Sequence, residues 1–321
     1  MGETPGPIPN PEAKPHCADG TALDRVWESR TPPNTRLLEA PNCVGGLQCF
    51  LVTSVSRIVF NEGTHKWVPF SHLLIIVRPL GRMHVVTTKA ELLRVAVGQP
   101  AVIDGDHVSS ALAHADLIRS ARADLMVFPE MSLTGYHLDA ADVEVDGDAV
   151  ALLVDACRSA DGCALVGAPV TENGARFIAI LRIDGNGVEI AYRKTHLHGD
   201  ENKWFVPGPG ASAIEVLGWR IGLGICKDTG TAEHVHATAA LDIDVYACGV
   251  VHHRWELAEQ QRRAAHISAA CGAYVAMASF AGATGEGFRA TAGRSAIVSP
   301  GQRMLAAAGS LPGDYVTAVL V

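Results

Sequence analysis

The chain has 321 residues, of which 48% are hydrophobic and 19% are charged, and its formal net charge is −8 at pH 7. A chain of this length and apolar content can bury a large core, which excludes a disordered or fibrous protein. The negative charge offers no electrostatic attraction to nucleic acid, so we expect no nucleic-acid partner.

The first 82 residues differ in composition from the rest. Ten of the 17 prolines lie before residue 83, and the run Gly-Pro-Ile-Pro-Asn-Pro at 6–11 is typical of an unstructured chain. The apolar stretches 51–60 and 73–77 are too short and too broken to cross a bilayer, and no signal peptide is evident at the start. These features predict a cytoplasmic protein with no membrane partner.

We therefore predict two regions, an N-terminal extension over residues 1–82 and an enzyme domain over residues 90–321. Three interpretations of the extension remain open: a flexible segment, a small accessory element, or a stretch upstream of a true start at Met83. The composition favours a poorly ordered segment or a stretch upstream of the start.

Short apolar runs alternate with helical patterns through the rest of the chain. The runs predict strands over 92–97, 124–128, 164–170, 177–183, 188–192, 214–217, 221–225, 245–251, 274–279, 296–299 and 315–320. Apolar residues at spacings of three and four predict helices over 108–118, 150–158, 231–241 and 256–270, and the glycines and asparagine of 184–187 predict a turn. The alternation indicates an α/β fold, but periodicity alone does not distinguish one doubly wound sheet from two sheets.

Three ionisable residues stand just after predicted strands. Cys226 ends the run Gly-Leu-Gly-Ile-Cys, Glu130 follows Val-Phe-Pro, and Lys194 follows Ala-Tyr-Arg. Side chains at strand ends of an α/β sheet converge in the crevice outside those ends, so the three are candidates for one pocket. Read singly, Cys226 could be a core residue, Lys194 part of a solvated basic run and Glu130 a helix-start carboxylate. Together a thiol, a carboxylate and an ammonium can carry out acyl transfer.

The other cysteines lack the close spacing of a metal site or a small disulfide framework. We expect free thiols, with those at 157, 248 and 271 serving as packing residues.

Together with the residues around them, the segments that contain Glu130, Lys194 and Cys226 resemble the nitrilase, or carbon–nitrogen hydrolase, superfamily, whose members use a Glu-Lys-Cys triad. The matching segments are Phe128-Pro129-Glu130 with Gly135-Tyr136, Tyr192 to Leu197 leading to Pro207-Gly208, and Gly224 to Asp228. The resemblance runs from about residue 93 to 301 and implies a four-layer αββα sandwich with two central mixed sheets and helices outside. It departs from the family after the cysteine, where an aromatic residue usually follows and Lys227 stands here.

The resemblance also implies roles for individual residues. Cys226 would attack the substrate carbon and form a thioester, Glu130 would carry the protons, and Lys194 with the backbone N–H of Lys227 would face the oxyanion. Glu201 would be a second glutamate that orients the substrate or the water. Possible pocket residues are Tyr136, Trp204, His252 and His253.

The expected reaction is hydrolysis of a non-peptide carbon–nitrogen bond in a small amide or N-carbamoyl substrate, with water as the second substrate and without metal or cofactor. The open alternatives are a nitrilase, an acyltransferase, and an inactive binding protein of the same fold. A zinc enzyme is a rival because histidines stand at 196 and 198, 234 and 236, and 252 and 253, although none has the His-Glu-x-x-His spacing. The resemblance further implies a homodimer or a higher homo-oligomer.

Overall fold

A computed structural model describes residues 89–321 in full and, between residues 1 and 88, the backbone of six strands. The chain divides into two units, Met1–Thr88 and Lys89–Val321. In the first unit, β1 (Arg36–Glu39), β2 (Gln48–Thr53), β5 (Leu74–Arg78) and β6 (His84–Thr87) form an antiparallel sheet, and β3 (Ile58–Val59) pairs with β4 (His65–Lys66). Most of residues 1–82 lie outside the described residues, so the interpretations of that region stay predictions.

The second unit contains strands β7 to β18 and helices α1 to α4. The strands are β7 (Leu93–Gln99), β8 (Leu125–Val127), β9 (Cys163–Glu172), β10 (Ala175–Asp184), β11 (Gly187–Arg193), β12 (Ala213–Val216), β13 (Trp219–Ile225), β14 (Val245–Val250), β15 (Tyr274–Ser279), β16 (Ala296–Val298), β17 (Met304–Ala307) and β18 (Asp314–Leu320). The helices are α1 (His107–Ala121), α2 (Asp148–Ala160), α3 (Ala232–Ala239) and α4 (Leu257–Cys271). Short 3-10 turns cover Gly199–Lys203, Cys226–Gly230 and Arg254–Glu256.

These strands form two six-stranded mixed sheets. The first has the order β11-β10-β9-β8-β7-β18 and the second the order β12-β13-β14-β15-β16-β17. In the first, β7, β8 and β9 are parallel, and α1 and α2 provide the crossovers between them. In the second, β13, β14 and β15 are parallel, with α3 and α4 as crossovers. Both sheets therefore have a parallel centre, which is why their central strands read as continuous apolar runs.

Three apolar clusters define the layers. One combines inward-facing residues of both sheets, such as Val95 and Leu165 from the first and Leu223 and Ala247 from the second. A second packs α1 and α2 against the other face of the first sheet, and a third packs α3 and α4 against the other face of the second sheet. The order of layers is thus helix, sheet, sheet, helix. Within the described residues, no helix is long and apolar enough to cross a membrane.

The eleven strands and four helices predicted for this region are present, with ends displaced by at most a few residues. The prediction omitted β17, an edge strand of Met-Leu-Ala-Ala whose residues are partly or fully exposed. Its weak apolar pattern follows from its position, because an edge strand buries little of its surface. The predicted turn joins β10 and β11, and of its residues Gly187 has a positive φ, of +154°.

Candidate active site

Glu130 lies in a tight turn between the two sheets. The chain leaves β8 at Val127, and Glu130 is fully buried. Glycines flank the turn on both sides: a Cβ at Gly249 of β14 would stand 2.6 Å from the Glu130 nitrogen, and one at Gly167 of β9 would stand 2.5 Å from the Met131 nitrogen. A side chain at either position would force the Glu130 turn to move, because real Cβ atoms do not approach backbone this closely. Because these two glycines have no side chain, the Glu130 turn fits between the two sheets.

Lys194 follows β11 directly, and backbone hydrogen bonds hold it on both sides. Its N–H donates to the Ile178 carbonyl at 2.8 Å, and its own carbonyl accepts from Gly208 at 2.8 Å. The Lys194 side chain is fully buried, and its Nζ lies 2.6 Å from Glu130 Oε1 and 2.7 Å from Glu201 Oε1. One ammonium thus contacts two buried carboxylates. An ammonium has three N–H donors, so one remains for a further acceptor.

Cys226 occupies a sharp bend between β13 and the turn Cys226–Gly230. Its φ is +39°, in the left-handed region that residues with a side chain rarely adopt. Its carbonyl accepts from Thr229 Oγ1 at 2.6 Å, and its Sγ lies 3.5 Å from the Val251 carbonyl at the end of β14. Unusual backbone of this kind persists only where the surroundings fix it, and it is common at functional sites. The thiol donates to the Val251 carbonyl and lies close enough to Glu130 and Lys194 for both charges to act on it.

The Cys226 thiol and the Glu130 carboxyl differ in their pKa values and therefore in their protonation above pH 7. Burial raises the pKa of Glu130 to about 7; the Lys194 charge opposes the rise and the Glu201 charge adds to it. Burial also raises the pKa of the Cys226 thiol to about 12, with Glu130 adding to the rise and Lys194 opposing it. Burial alone would lower the pKa of Lys194, but Glu130 and Glu201 outweigh it and raise that pKa above its usual value. Above pH 7 the resting cluster therefore holds an ammonium, a carboxylate base and a protonated thiol.

Glu201 is, like Glu130, a buried carboxylate that contacts Lys194. It is fully buried in the turn Gly199–Lys203; Tyr136 donates its hydroxyl proton to Glu201 Oε1 at 2.6 Å, and the His198 N–H donates to Oε2 at 2.7 Å. Burial raises the pKa of Tyr136, with the charges of Glu130 and Glu201 adding to the rise, so Tyr136 stays a neutral donor. The neighbouring Asp200 is exposed and pairs with Lys203 at 3.0 Å. Of the two adjacent acids, Glu201 is the one in the cluster.

The other predicted pocket residues fall in different surroundings. Trp204 ends the Glu201 turn and is 47% exposed. His252 is buried and bonds Gln260 at 3.3 Å, whereas the His253 ring is stacked between Trp255 and Phe288, each at 4.1 Å between ring centroids. The Lys227 side chain is exposed. Its backbone N–H belongs to the first residues of the Cys226–Gly230 turn, where N–H groups have no partner within the turn.

Two further histidines, His196 and His234, are placed by hydrogen bonds. His196 contacts the buried Asp228, at the base of the Cys226 turn, directly. His234 is connected to the same carboxylate through the Tyr192 hydroxyl. Within residues 89–321 no three histidine, cysteine, aspartate or glutamate side chains are grouped so that they could hold a metal ion. Asp228 lies in a segment that carries the family resemblance, but the sequence pattern assigned it no role. The signal was present, since a charged residue two positions after a strand-end cysteine needs a partner once it is buried.

Residues 94–320 match the family model described as carbon-nitrogen hydrolase. The chain belongs to the carbon–nitrogen hydrolase family. Among curated proteins it is similar to an (R)-stereoselective amidase of Pseudomonas sp., with 32% identity over 126 residues that cover 38% of this chain and 46% of the amidase. It is also 31% identical over 135 residues to a hydrolase of Pseudomonas protegens, covering 39% of this chain and 47% of that protein. The matches thus span about half the length of these curated relatives.

Solved structures of this carbon–nitrogen hydrolase family share the fold. A CN-hydrolase superfamily protein from Xanthomonas campestris superposes with a TM-score of 0.65 at 17% identity, over 72% of this chain and 91% of that one. An amidase from Nesterenkonia sp. superposes with a TM-score of 0.63 at 25% identity, over 70% of this chain and 90% of that one. The predicted αββα sandwich is confirmed.

Proposed function

We propose that the protein hydrolyses the carbon–nitrogen bond of a small amide or N-carbamoyl compound, with Cys226 as nucleophile and Glu130, Lys194 and Glu201 as its partners. The observation that carries the proposal is the contact of one buried ammonium with two buried carboxylates, 2.6 and 2.7 Å away, beside a cysteine in a strained bend. Burying three ionisable groups together is costly unless they are closely paired. Such clusters are common at sites that transfer protons.

In the first half of the reaction, the Cys226 sulfur attacks the substrate carbonyl carbon while Glu130 takes the thiol proton. The carbonyl oxygen becomes an oxyanion, and the remaining N–H of Lys194 and the Lys227 backbone N–H are the donors available to it. Glu130 then passes its proton to the nitrogen, the carbon–nitrogen bond breaks, and ammonia or an amine leaves. A thioester on Cys226 remains.

In the second half, Glu130 takes a proton from a water molecule, whose oxygen attacks the thioester carbon. The carbon–sulfur bond breaks, the proton returns to sulfur, and the acid product leaves. Glu130 suits both halves, because a base with a pKa of about 7 can both accept and return a proton near neutral pH. Glu201 accepts from Lys194 and Tyr136 and holds the ammonium between the carboxylates.

Similarity to two amidases supports an amide as the substrate, although the curated one matches over less than half of its length. The test is the release of ammonia or amine from a panel of small amides, N-carbamoyl compounds and nitriles, followed by mass spectrometry of the protein trapped during turnover. We expect a thioester mass on Cys226 with an amide or a carbamoyl compound.

Matched variants separate the cysteine mechanism from its rivals. Cys226→Ala should abolish activity, whereas Cys271→Ala, at a partly buried cysteine of α4, should retain it. Activity that survives Cys226→Ala but disappears with a chelator would refute the proposal in favour of a metal mechanism. Turnover of nitriles alone would refute the amide assignment while leaving the nucleophile intact. Transfer of the acyl group to an added amine in preference to water would identify an acyltransferase.

A further inference from the structure

A buried chain of hydrogen bonds runs beneath the Cys226 turn. Its members, Tyr246, His234, Tyr192 and Asp228, are each at most 2% exposed. The Tyr246 hydroxyl lies 3.1 Å from His234 Nδ1, His234 Nε2 lies 2.8 Å from the Tyr192 hydroxyl, and that hydroxyl lies 2.8 Å from Asp228 Oδ2. The chain crosses from β14 through α3 to β11 and ends on the turn that carries the nucleophile.

The direction of each proton in this chain follows from the acid at its end. A carboxylate only accepts, so the Tyr192 proton points to Asp228. The Tyr192 oxygen must then accept from His234 Nε2–H, since the hydroxyl has one proton. With Nε2 protonated, neutral His234 presents a lone pair at Nδ1, and the Tyr246 hydroxyl donates to it. Burial lowers the pKa of His234, which keeps the ring neutral although the Asp228 charge opposes the shift.

Asp228 connects this chain to two catalytic segments. Its Oδ2 also accepts from the Ile225 N–H at 3.0 Å, immediately before Cys226. Its Oδ1 accepts from the His196 N–H at 2.8 Å, two residues after Lys194, and lies 3.1 Å from His196 Nδ1. Oδ2 thus binds the start of the Cys226 turn, and Oδ1 binds the segment that follows β11. Tyr192 strengthens the connection, because it lies two residues before Lys194.

We infer that the oriented chain Tyr246–His234–Tyr192–Asp228 is a positioning device that fixes the Cys226 turn relative to Lys194, with His234 in its Nε2–H tautomer. The four residues touch neither substrate nor the reacting atoms in the proposed mechanism. The inference rests on the proposed function for its effect on turnover. The tautomer, by contrast, is a property of the resting protein.

The first test is therefore nitrogen-15 NMR of the unmodified protein labelled at histidine, with His234→Gln identifying the His234 signals. We expect the pattern of an Nε2–H tautomer. An Nδ1–H tautomer or a doubly protonated ring at pH 7 would overturn the inference, whether or not any amide is hydrolysed.

The second test uses variants of the two middle members of the chain, Tyr192 and His234. Tyr192→Phe removes the donor to Asp228 and should lower both kcat and the rate of Cys226 alkylation by iodoacetamide by about tenfold or more, as expected for loss of a hydrogen bond to a charged group, with KM little changed. His234→Leu should act similarly. His234→Gln, whose amide N–H can donate to Tyr192, should recover most of both rates.

The matched control is Tyr274→Phe, because the Tyr274 hydroxyl donates to the Val321 carbonyl in an exposed position away from the chain. Its rates should equal those of the unmodified protein. Folded Tyr192→Phe protein with unchanged kcat and alkylation rate would overturn the inference. A third outcome separates the two proposals. If Tyr192→Phe slows alkylation of Cys226 and the unmodified protein hydrolyses no amide, the positioning role is supported and the proposed reaction is refuted.

Discussion

Replacing Lys194 by methionine removes the ammonium that both buried carboxylates contact. Glu130 and Glu201 would then have no positive charge between them, although all three side chains are fully buried in the native protein. Removing one partner of a buried ion pair costs about 3–5 kcal/mol in the free energy of unfolding. For a unit of this size, that corresponds to a melting temperature lower by roughly 6–20 °C.

The destabilisation should depend on pH in a defined direction. A carboxyl whose folded pKa is raised stabilises the fold below its unfolded pKa, and this contribution is lost as pH rises through the folded pKa. In the unmodified protein the loss is complete near pH 7, where Glu130 titrates. In Lys194→Met the opposing ammonium is gone, so the pKa of Glu130 rises further and the loss extends to higher pH. The variant should therefore be closest to the native protein near pH 5 and weakest above pH 8.

Thermal unfolding at pH 5, 7 and 8.5 measures this dependence. Lys203→Met is the matched control, because Lys203 forms an exposed pair with Asp200, and its melting temperature should not change. The double variant Lys194→Met/Glu201→Gln should recover part of the stability at high pH, since one of the two carboxylates is removed. If Lys194→Met melted at the native temperature at pH 8.5, or lost the same stability at every pH, Lys194 would not be the charge that compensates the two carboxylates.

Three further predictions concern the Glu130 turn, the catalytic base and the assembly. Gly249→Ala should lower kcat by at least about tenfold while leaving the protein folded, since its Cβ would displace the Glu130 turn; normal activity would contradict the packing described for that turn. The value of kcat/KM should rise with pH to a plateau with a midpoint near 7, as Glu130 becomes a base, and a profile flat between pH 5 and 8 would exclude it as that base. Light scattering should find a homodimer or larger assembly, as the family resemblance implies, and a monomer at micromolar concentration would refute this.

The strands and helices of the second unit were predictable because each buries one clear apolar pattern. The candidates Glu130, Lys194 and Cys226 were predictable for a related reason: each is an ionisable residue placed directly after an apolar strand. Their shared pocket required the further assumption that these strand ends meet, and the family resemblance supplied it. Periodicity alone did not reveal that the strands divide between two sheets.

Contacts between sheets were beyond the reach of the sequence. Gly249 lies in an apolar run and has no local feature that marks it as the neighbour of Glu130, which is more than 100 residues away. His252 and His253 looked equivalent, yet one is buried against Gln260 and the other is stacked between two aromatic rings. Successive residues of an extended chain face opposite sides, so adjacent histidines seldom share a site.

The two raised pKa values bear on how the site avoids unwanted chemistry. A cysteine with a pKa of about 12 stays protonated and therefore reacts slowly with passing electrophiles, because the thiolate is the reactive form. In the proposed mechanism, Glu130, with a pKa of about 7, takes the proton as the developing negative charge moves from sulfur to the substrate oxygen. The negative charge on that oxygen needs a positive group close by. In the proposed mechanism this group is the Lys194 ammonium, which contacts the two carboxylates. In the proposed mechanism, reactivity thus depends on the substrate as well as on the thiol, and catalysis requires the Cys226 turn to be correctly placed relative to Lys194.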